Sequence, residues 1–169
     1  MPDRWWNGAG DRPAGEAETY ARLEAAVRDR DMRACDGCTR CAMRCVDGID
    51  LSYPEFARLV RAAMAMPAPE RARVLGQDKV LHWGEGAVVA LCPFLDRDTD
   101  RCAIYPVRPL ICRLFGYAPW LPCPTGKQND SIEGAVEIMV EYASLERHPL
   151  RAWLRRYGLQ LPGLSDDIE

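Results

Sequence analysis

Cysteine is the residue that most constrains this chain. Eight occur among 169 residues: Cys35, Cys38, Cys41 and Cys45 in one run, Cys92, Cys102 and Cys112 in a second, and Cys123 beyond it. The first run, CDGCTRCAMRC, is spaced C-x2-C-x2-C-x3-C. The second, CPFLDRDTDRCAIYPVRPLICR, leaves nine residues between successive cysteines and sets Pro93, Pro106, Pro109, Arg108 and Arg113 among them. Four cysteines within eleven residues are poorly explained as small buried hydrophobes. They point to a metal-thiolate site closed by two segments far apart in sequence.

The redox compartment decides between disulfides and metal. The start, MPDRWWNGAGDRPAGEAE, has neither the basic opening nor the apolar core of a signal peptide. No stretch approaches the ~20 apolar residues of a membrane span. The expectation is a cytoplasmic protein with reduced thiols and no membrane partner. Eight cysteines in 169 residues is under 5%, below the ~8–10% of small disulfide scaffolds. A net charge of −3 argues against nucleic acid as a partner.

A chain of this length forms one domain and buries a core without staples. Residues 1–15 read as a flexible N-terminus onto which Trp5 and Trp6 can still pack, 16–158 as a single metal-binding domain, and 159–169 as an acidic tail. Glu16 to Arg33 reads as a helix with Tyr20, Leu23 and Val27 on one stripe. If the first cysteine run is helical, residues 38, 41 and 45 fall within ~60° of one another. If Asp36-Gly37 turns instead, Cys35 and Cys38 form a tight chelating loop. After a turn at Asp47-Gly48, Ser52-Tyr53-Pro54-Glu55 is a capping box with proline in the first turn. It opens a helix with Phe56, Leu59, Val60, Ala63 and Met64 inward, ended at Met66-Pro67, and Glu70 to Leu75 forms a short helix.

Glycines around Trp83 predict a turn, followed by a short buried strand from Ala87 to Leu91. His82 is read as a packing residue outside the site. Asp96 to Arg101 reads as the tip of a hairpin. A short helix spans about Arg108 to Phe115, stopped by Gly116. A long helix is expected from Asn129 to Arg147, capped by Asp130 or Ser131, with Ile132, Ala135, Val136, Met139 and Ala143 as its stripe. Another starts at Pro149, with Leu150, Trp153, Leu154 and Tyr157 inward and Gly158 as its stop. The fold class is therefore mainly α, an irregular cysteine-rich domain with about four helices and a small β-hairpin.

Thiolates suit zinc, Cu(I) or iron–sulfur clusters. Eight permit two four-thiolate sites, one such site plus a redox pair, or a dinuclear centre. Four thiolates around a divalent metal or an oxidised cubane leave a net charge of about −2. Arg108 and Arg113 bracket Cys112 and are the candidate groups to offset it, Arg108 the better placed between its prolines. The first run is similar to the bacterial ferredoxin pattern, except that Val46 stands where that pattern has proline and no second copy exists. Thr125-Gly126-Lys127 does not complete a phosphate-binding loop, since Leu121 replaces the first glycine and Gln128 the Ser or Thr. No Ser-His-Asp set, H-E-x-x-H helix or glycine-rich nucleotide loop marks an enzyme.

Cys35, Cys38 and Cys41, then Leu51-Ser52 with Glu55, Cys92-Pro93-Phe94-Leu95, Cys102-Ala103-Ile104-Tyr105, Arg108-Pro109 and Cys112-Arg113 together resemble the YkgJ-type cysteine-cluster family. The resemblance runs from about residue 35 to 116. Ala42 stands where that pattern has a further cysteine, with Cys45 three residues on, and Cys123 follows where a cysteine soon after Cys112-Arg113 is absent. The resemblance implies chelation of zinc or iron. With the cysteine count, it makes all eight thiolates candidate ligands. The function expected is metal binding by thiolates from two segments. The alternative is an iron–sulfur cluster redox protein or oxidoreductase partner that transfers electrons.

Overall fold

A computed structural model describes residues 16–28, 35, 38–84 and 86–164. The N-terminal segment 1–15, residues 29–33 of the first expected helix with residue 34 after them, the expected Asp36-Gly37 turn, residue 85 and residues 165–169 of the acidic tail lie outside the described residues.

The chain runs α1 (Glu16–Arg28), a 3-10 helix (Arg40–Arg44), β1 (Asp50–Ser52), α2 (Tyr53–Ala65), α3 (Ala68–Leu75), β2 (Val80–Trp83), β3 (Ala87–Ala90), β4 (Leu95–Asp96) and β5 (Arg101–Cys102). A second 3-10 helix (Tyr105–Val107) leads to α4 (Leu110–Arg113), α5 (Ala135–Ser144), β6 (Arg147–Pro149) and α6 (Leu150–Arg156). The strands form three antiparallel pairs, β1 with β6, β2 with β3 and β4 with β5. The architecture is thus mixed rather than mainly α, with six α-helices and three two-stranded sheets among the described residues. Short ladders satisfy backbone groups in the connections that carry the cysteines, where no helix supplies the bonds.

α2 is the central support. Its capping box forms as the sequence predicts, Ser52 N–H donating to Glu55 Oε2 at 2.9 Å, and Pro54 sits in the first turn. Phe56, Leu59 and Ala63 are buried. Met64 turns partly to solvent, at the edge of the expected stripe. This face meets α6, where Trp153 stacks on Phe56 at 5.8 Å and its indole N–H donates to the Leu51 carbonyl at 2.7 Å. Phe94, Ile104 and Leu75 complete this first core, with Cys92 and Cys102 packed against it. Leu161, in the stretch expected as tail, is buried there as well.

A second core joins α1, α4 and α5 through Tyr20, Leu23, Val27, Leu110, Leu114, Ile138 and Tyr142. The stripe expected on α1 is therefore the buried one. α5, however, begins at Ala135, not near Asp130, because Gly134 takes a left-handed φ of 74° and interrupts any earlier helix. Its buried face is Ala135, Ile138 and Tyr142, while Val136 is exposed. The helix also ends at Ser144, since residues 147–149 pair with 50–52 in register Leu51↔His148. Pro149 biases the residue before it to extended backbone and needs no ladder donor at a sheet edge. β2 and β3 form the hairpin around the glycine turn, but β3 is exposed at Ala87 and Val88 rather than buried. His82 lies exposed on β2 opposite Val88.

Candidate metal centre

From Arg40 to Arg44 the first cysteine run is a 3-10 helix, so an α-helical reading of that part does not hold. Cys38 N–H donates to the Cys35 carbonyl at 3.1 Å, closing the tight C-x2-C loop. The 3-10 helix then carries Cys41, and Cys45 caps its end. From there the backbone is stitched to the second segment. Asp47 N–H donates to the Ala90 carbonyl, Val46 bridges Leu91, and Cys92 N–H donates to the Cys45 carbonyl at 2.9 Å. Two cysteines 47 positions apart in sequence therefore meet through one peptide hydrogen bond.

The second segment is held by its hairpin. Leu95 N–H donates to the Cys92 carbonyl, and Leu95 pairs with Cys102 across β4 and β5. The expected polar tip is fixed by Asp96, which accepts both Arg73 Nη groups at 2.9 Å together with Gln77 Nε2, Asp98 N–H and Thr99 Oγ1. Cys112 rides on α4, and Cys123 follows the turn that Gly116 allows with its φ of 83°.

All eight cysteines are free thiols, and each lines at least one of two adjoining cavities, Cys35, Cys38, Cys41 and Cys112 both of them. The larger, about 760 Å³, is lined by Cys35, Cys38, Cys41, Cys45, Cys92, Cys102 and Cys112, with apolar walls from Ile49, Leu51, Leu59, Phe94 and Ile104. The smaller is lined by Cys35, Cys38, Cys41, Cys112 and Cys123. Among the described residues, no group of three or more Cys, His, Asp and Glu side chains is already arranged to hold an ion. The sulfurs stand around the cavity walls rather than at one point.

Their electrostatics follow from depth. Burial, with Cys102 and Cys41 nearby, pushes the Cys45 thiol up to about 11. Burial with Cys45 and Cys102 nearby pushes Cys112 up to about 12. Cys92 is raised well above the ordinary thiol value, first by burial and then by Cys102. Such thiols are neutral at pH 7 and ionise only against a cation. Opposing this, the N–H of Phe94 is directed at Cys92 sulfur and that of Ile104 at Cys102 sulfur, donors that favour a thiolate. Cys123 differs. Burial works against its thiolate, but the Thr125 hydroxyl and the N–H groups of Thr125, Gln128 and Lys127 together bring it down to about 7. A soft, reduced, donor-supported sulfur set of this kind fits zinc or iron.

The arginines part company. Arg108 is buried, its guanidinium 3.6 Å over the Tyr105 ring and its Nε donating to the Tyr105 carbonyl. Its charge favours the thiolate form of Cys41, Cys45, Cys102 and Cys112. Arg113 lines the smaller cavity, but its terminal nitrogens serve Glu24 at 3.0 Å and the Tyr20 hydroxyl at 3.2 Å. Two supporting residues escape sequence reading. Tyr105 is the platform under Arg108. Glu55, read only as a local cap, also accepts Leu110 N–H at the start of α4. Both stand among the residues that carry the family resemblance, which was the signal the sequence offered for them.

No helix among the described residues is long and apolar enough to cross a membrane. No match was found among curated proteins or among solved structures. A family profile described as "Putative zinc- or iron-chelating domain" matches residues 34–136, a span containing all eight cysteines. With more than half its length matched, and with both cysteine segments inside the match, the chain belongs to the CxxCxxCC family, a family of metal-chelating domains.

Proposed function

We propose that this protein binds metal through thiolates drawn from two segments, 35–45 and 92–123, and that the metal is zinc or iron. The observation that carries the reading is the convergence of all eight free cysteines on two adjoining cavities. Bound metal would supply a positive centre that ionises half-buried thiols and ties the segments together, adding its binding energy to folding. The chain's own contribution is to deliver the sulfurs on short ladders and turns, to direct Phe94 and Ile104 N–H groups at two of them, and to place the Arg108 charge beside four.

A second reading, an iron–sulfur protein passing electrons to a partner, is favoured by the size of the larger cavity. A lone four-thiolate zinc site is compact, with sulfurs ~2.3 Å from the ion, whereas the space here is about 760 Å³. N–H groups directed at sulfur are also a means of tuning cluster potential. Metal analysis of anaerobically purified protein, with acid-labile sulfide and visible absorbance, separates the two. Brown protein with sulfide establishes the cluster, and colourless protein with stoichiometric zinc excludes it. Protein carrying neither metal above trace level refutes the function proposed.

A further inference from the structure

We propose that Lys79 is a positioning residue of the metal centre: its side chain and its own carbonyl hold the two ends of the turn that carries Cys92. This rests on the metal-binding reading and deepens it, because it names a group outside both cysteine segments on which the grip on metal depends.

Lys79 stands at the root of the β2–β3 hairpin, one residue before Val80. Its carbonyl accepts the Leu91 N–H at 2.7 Å, which carries the Val80↔Ala90 pairing one step further. Leu91 leads directly into Cys92, and there the chain turns. The Leu95 N–H donates back to the Cys92 carbonyl at 3.0 Å, with Pro93 at the second position, where its fixed φ suits a turn. At the far end of that turn the Leu95 carbonyl accepts the Lys79 ammonium. One residue therefore closes on both sides of Cys92, its backbone taking one end and its side chain the other. Leu91 and Leu95 are themselves buried, so solvent is a poor substitute for either bond.

Lysine is a costly way to fill this position. Lys79 is 5% exposed, and both groups that its ammonium meets are neutral oxygens, the Leu95 carbonyl and Gln77 Oε1 at 3.1 Å. Asp96, the carboxylate next along the chain, is already held by both Arg73 Nη groups. Taking an ammonium out of water without a paired anion costs free energy. An apolar side chain of similar volume, such as methionine, would avoid that cost. Stability alone does not call for a lysine here.

What the ammonium adds is three donors at the tip of a long stem, enough to reach Leu95 from the hairpin root and still meet Gln77. Gln77 passes the hold along the segment. Its Oε1 also accepts the Arg97 N–H at 3.0 Å, and its Nε2 donates to Asp96 and Asp98, each at 3.0 Å. The Cys92 turn is thereby pinned to the polar tip that separates it from Cys102. Groups that orient a ligating side chain from behind account for about 10–100-fold of metal affinity.

Co(II) serves as the probe in the full chain, handled anaerobically, since its thiolate charge-transfer absorbance reports how many sulfurs bind each ion. Lys79→Met should weaken Co(II) against a competing chelator by about tenfold and lower that absorbance per bound cobalt, as Cys92→Ser does. Combining the two substitutions should add nothing to Cys92→Ser alone, because Lys79 acts through Cys92. Wild-type grip and absorbance in Lys79→Met, or additive losses in the double variant, overturn the role of Lys79 and leave metal binding intact. A wild-type chain that takes up no metal, Co(II) included, overturns both. Should Lys79→Met fail to fold, amide hydrogen exchange in the wild-type protein decides. Removing cobalt should release the Leu91 and Leu95 amides more than that of Ile138, which is bonded to the Gly134 carbonyl in the second core. A release no larger than at Ile138 overturns the role of Lys79.

Discussion

Glu55 Oε1 accepts the backbone N–H of Leu110 at 2.7 Å across 55 residues of chain, and so fixes the start of the helix that carries Cys112. The same carboxylate accepts Ser52 N–H, Ser52 Oγ–H and the Tyr142 hydroxyl, the last at 2.7 Å. Glu55 is 1% exposed, so its partners have no water to fall back on. The helix that carries Cys112 is thus hung from the capping residue of α2, at the junction of the two cores.

Replacing Glu55 by Gln keeps the shape but turns one acceptor oxygen into a donor facing donors. The expected loss is about 1–3 kcal/mol of stability, accompanied by reduced metal retention as α4 loosens. Ser52→Ala removes only the local cap, costing about 1 kcal/mol, and should leave metal retention near wild type. Urea unfolding with metal analysis of both variants checks this, and equal metal loss in the two would show that the Leu110 bond is dispensable.

Arg108 and Arg113 should separate experimentally. Arg108→Gln removes the cation facing four thiols and should weaken metal against a competing chelator by about tenfold, the equivalent of ~1.4 kcal/mol. Arg113→Gln breaks contacts to Glu24 and Tyr20 instead. It should cost roughly 1–2 kcal/mol in unfolding and barely alter chelator competition. Reversal of these two outcomes would assign the charge compensation to Arg113.

How much of this is legible in the sequence depends on whether a signal is local. Ser52 to Glu55, Cys92 to Cys102 with its polar tip, and Pro149 to Gly158 each carry their own punctuation within ten residues or so, and each forms as read. The stripe Tyr20, Leu23, Val27 is equally local. What fails is what depends on distant partners. β6 exists because residues 50–52 offer an edge, so no periodicity in 147–149 announces it. The buried face of α5 is set partly by the Tyr142 hydroxyl reaching Glu55, 87 residues away in sequence. The 3-10 course of the first cysteine run is likewise fixed by what Cys45 meets at Cys92, not by the spacing of its cysteines.

Asp96 gives the acid limb of stability. Hydrogen bonds from Arg73 lead the causes that hold its carboxyl well below the ordinary value of 3.8, with burial opposing them and Gln77, Asp98 and Thr99 adding support. A folded pKa below the unfolded one means the contribution is complete above the unfolded value and disappears as pH falls through the folded one. Stability should therefore decline from about pH 4 downward. Asp96→Asn should lower stability at pH 7 and flatten that decline. Parallel acid limbs for wild type and variant, measured by urea midpoints from pH 2 to 7, would remove Asp96 from the account.

Gly116 and Gly158 offer a matched pair of glycines with left-handed backbone, at φ of 83° and 59°. A Cβ at Gly158 meets nothing within 4 Å, so Gly158→Ala pays only the left-handed penalty, about 1–2 kcal/mol. At Gly116 the added Cβ would lie 2.6 Å from the Gln128 carbonyl oxygen, a backbone atom that cannot yield without moving its strand of chain. Gly116 N–H also donates to the Leu121 carbonyl at 2.6 Å, so residues 116, 121 and 128 together clasp the loop that presents Cys123. Gly116→Ala should therefore cost the same penalty plus about 1–3 kcal/mol of overpacking. Because the displaced loop carries Cys123, which lines the smaller cavity, the variant should also lose metal in proportion to Cys123→Ser, whereas Gly158→Ala should keep it all. Equal unfolding midpoints for the two alanine variants, with metal undiminished in both, would mean that the close approach at Gln128 does not position Cys123.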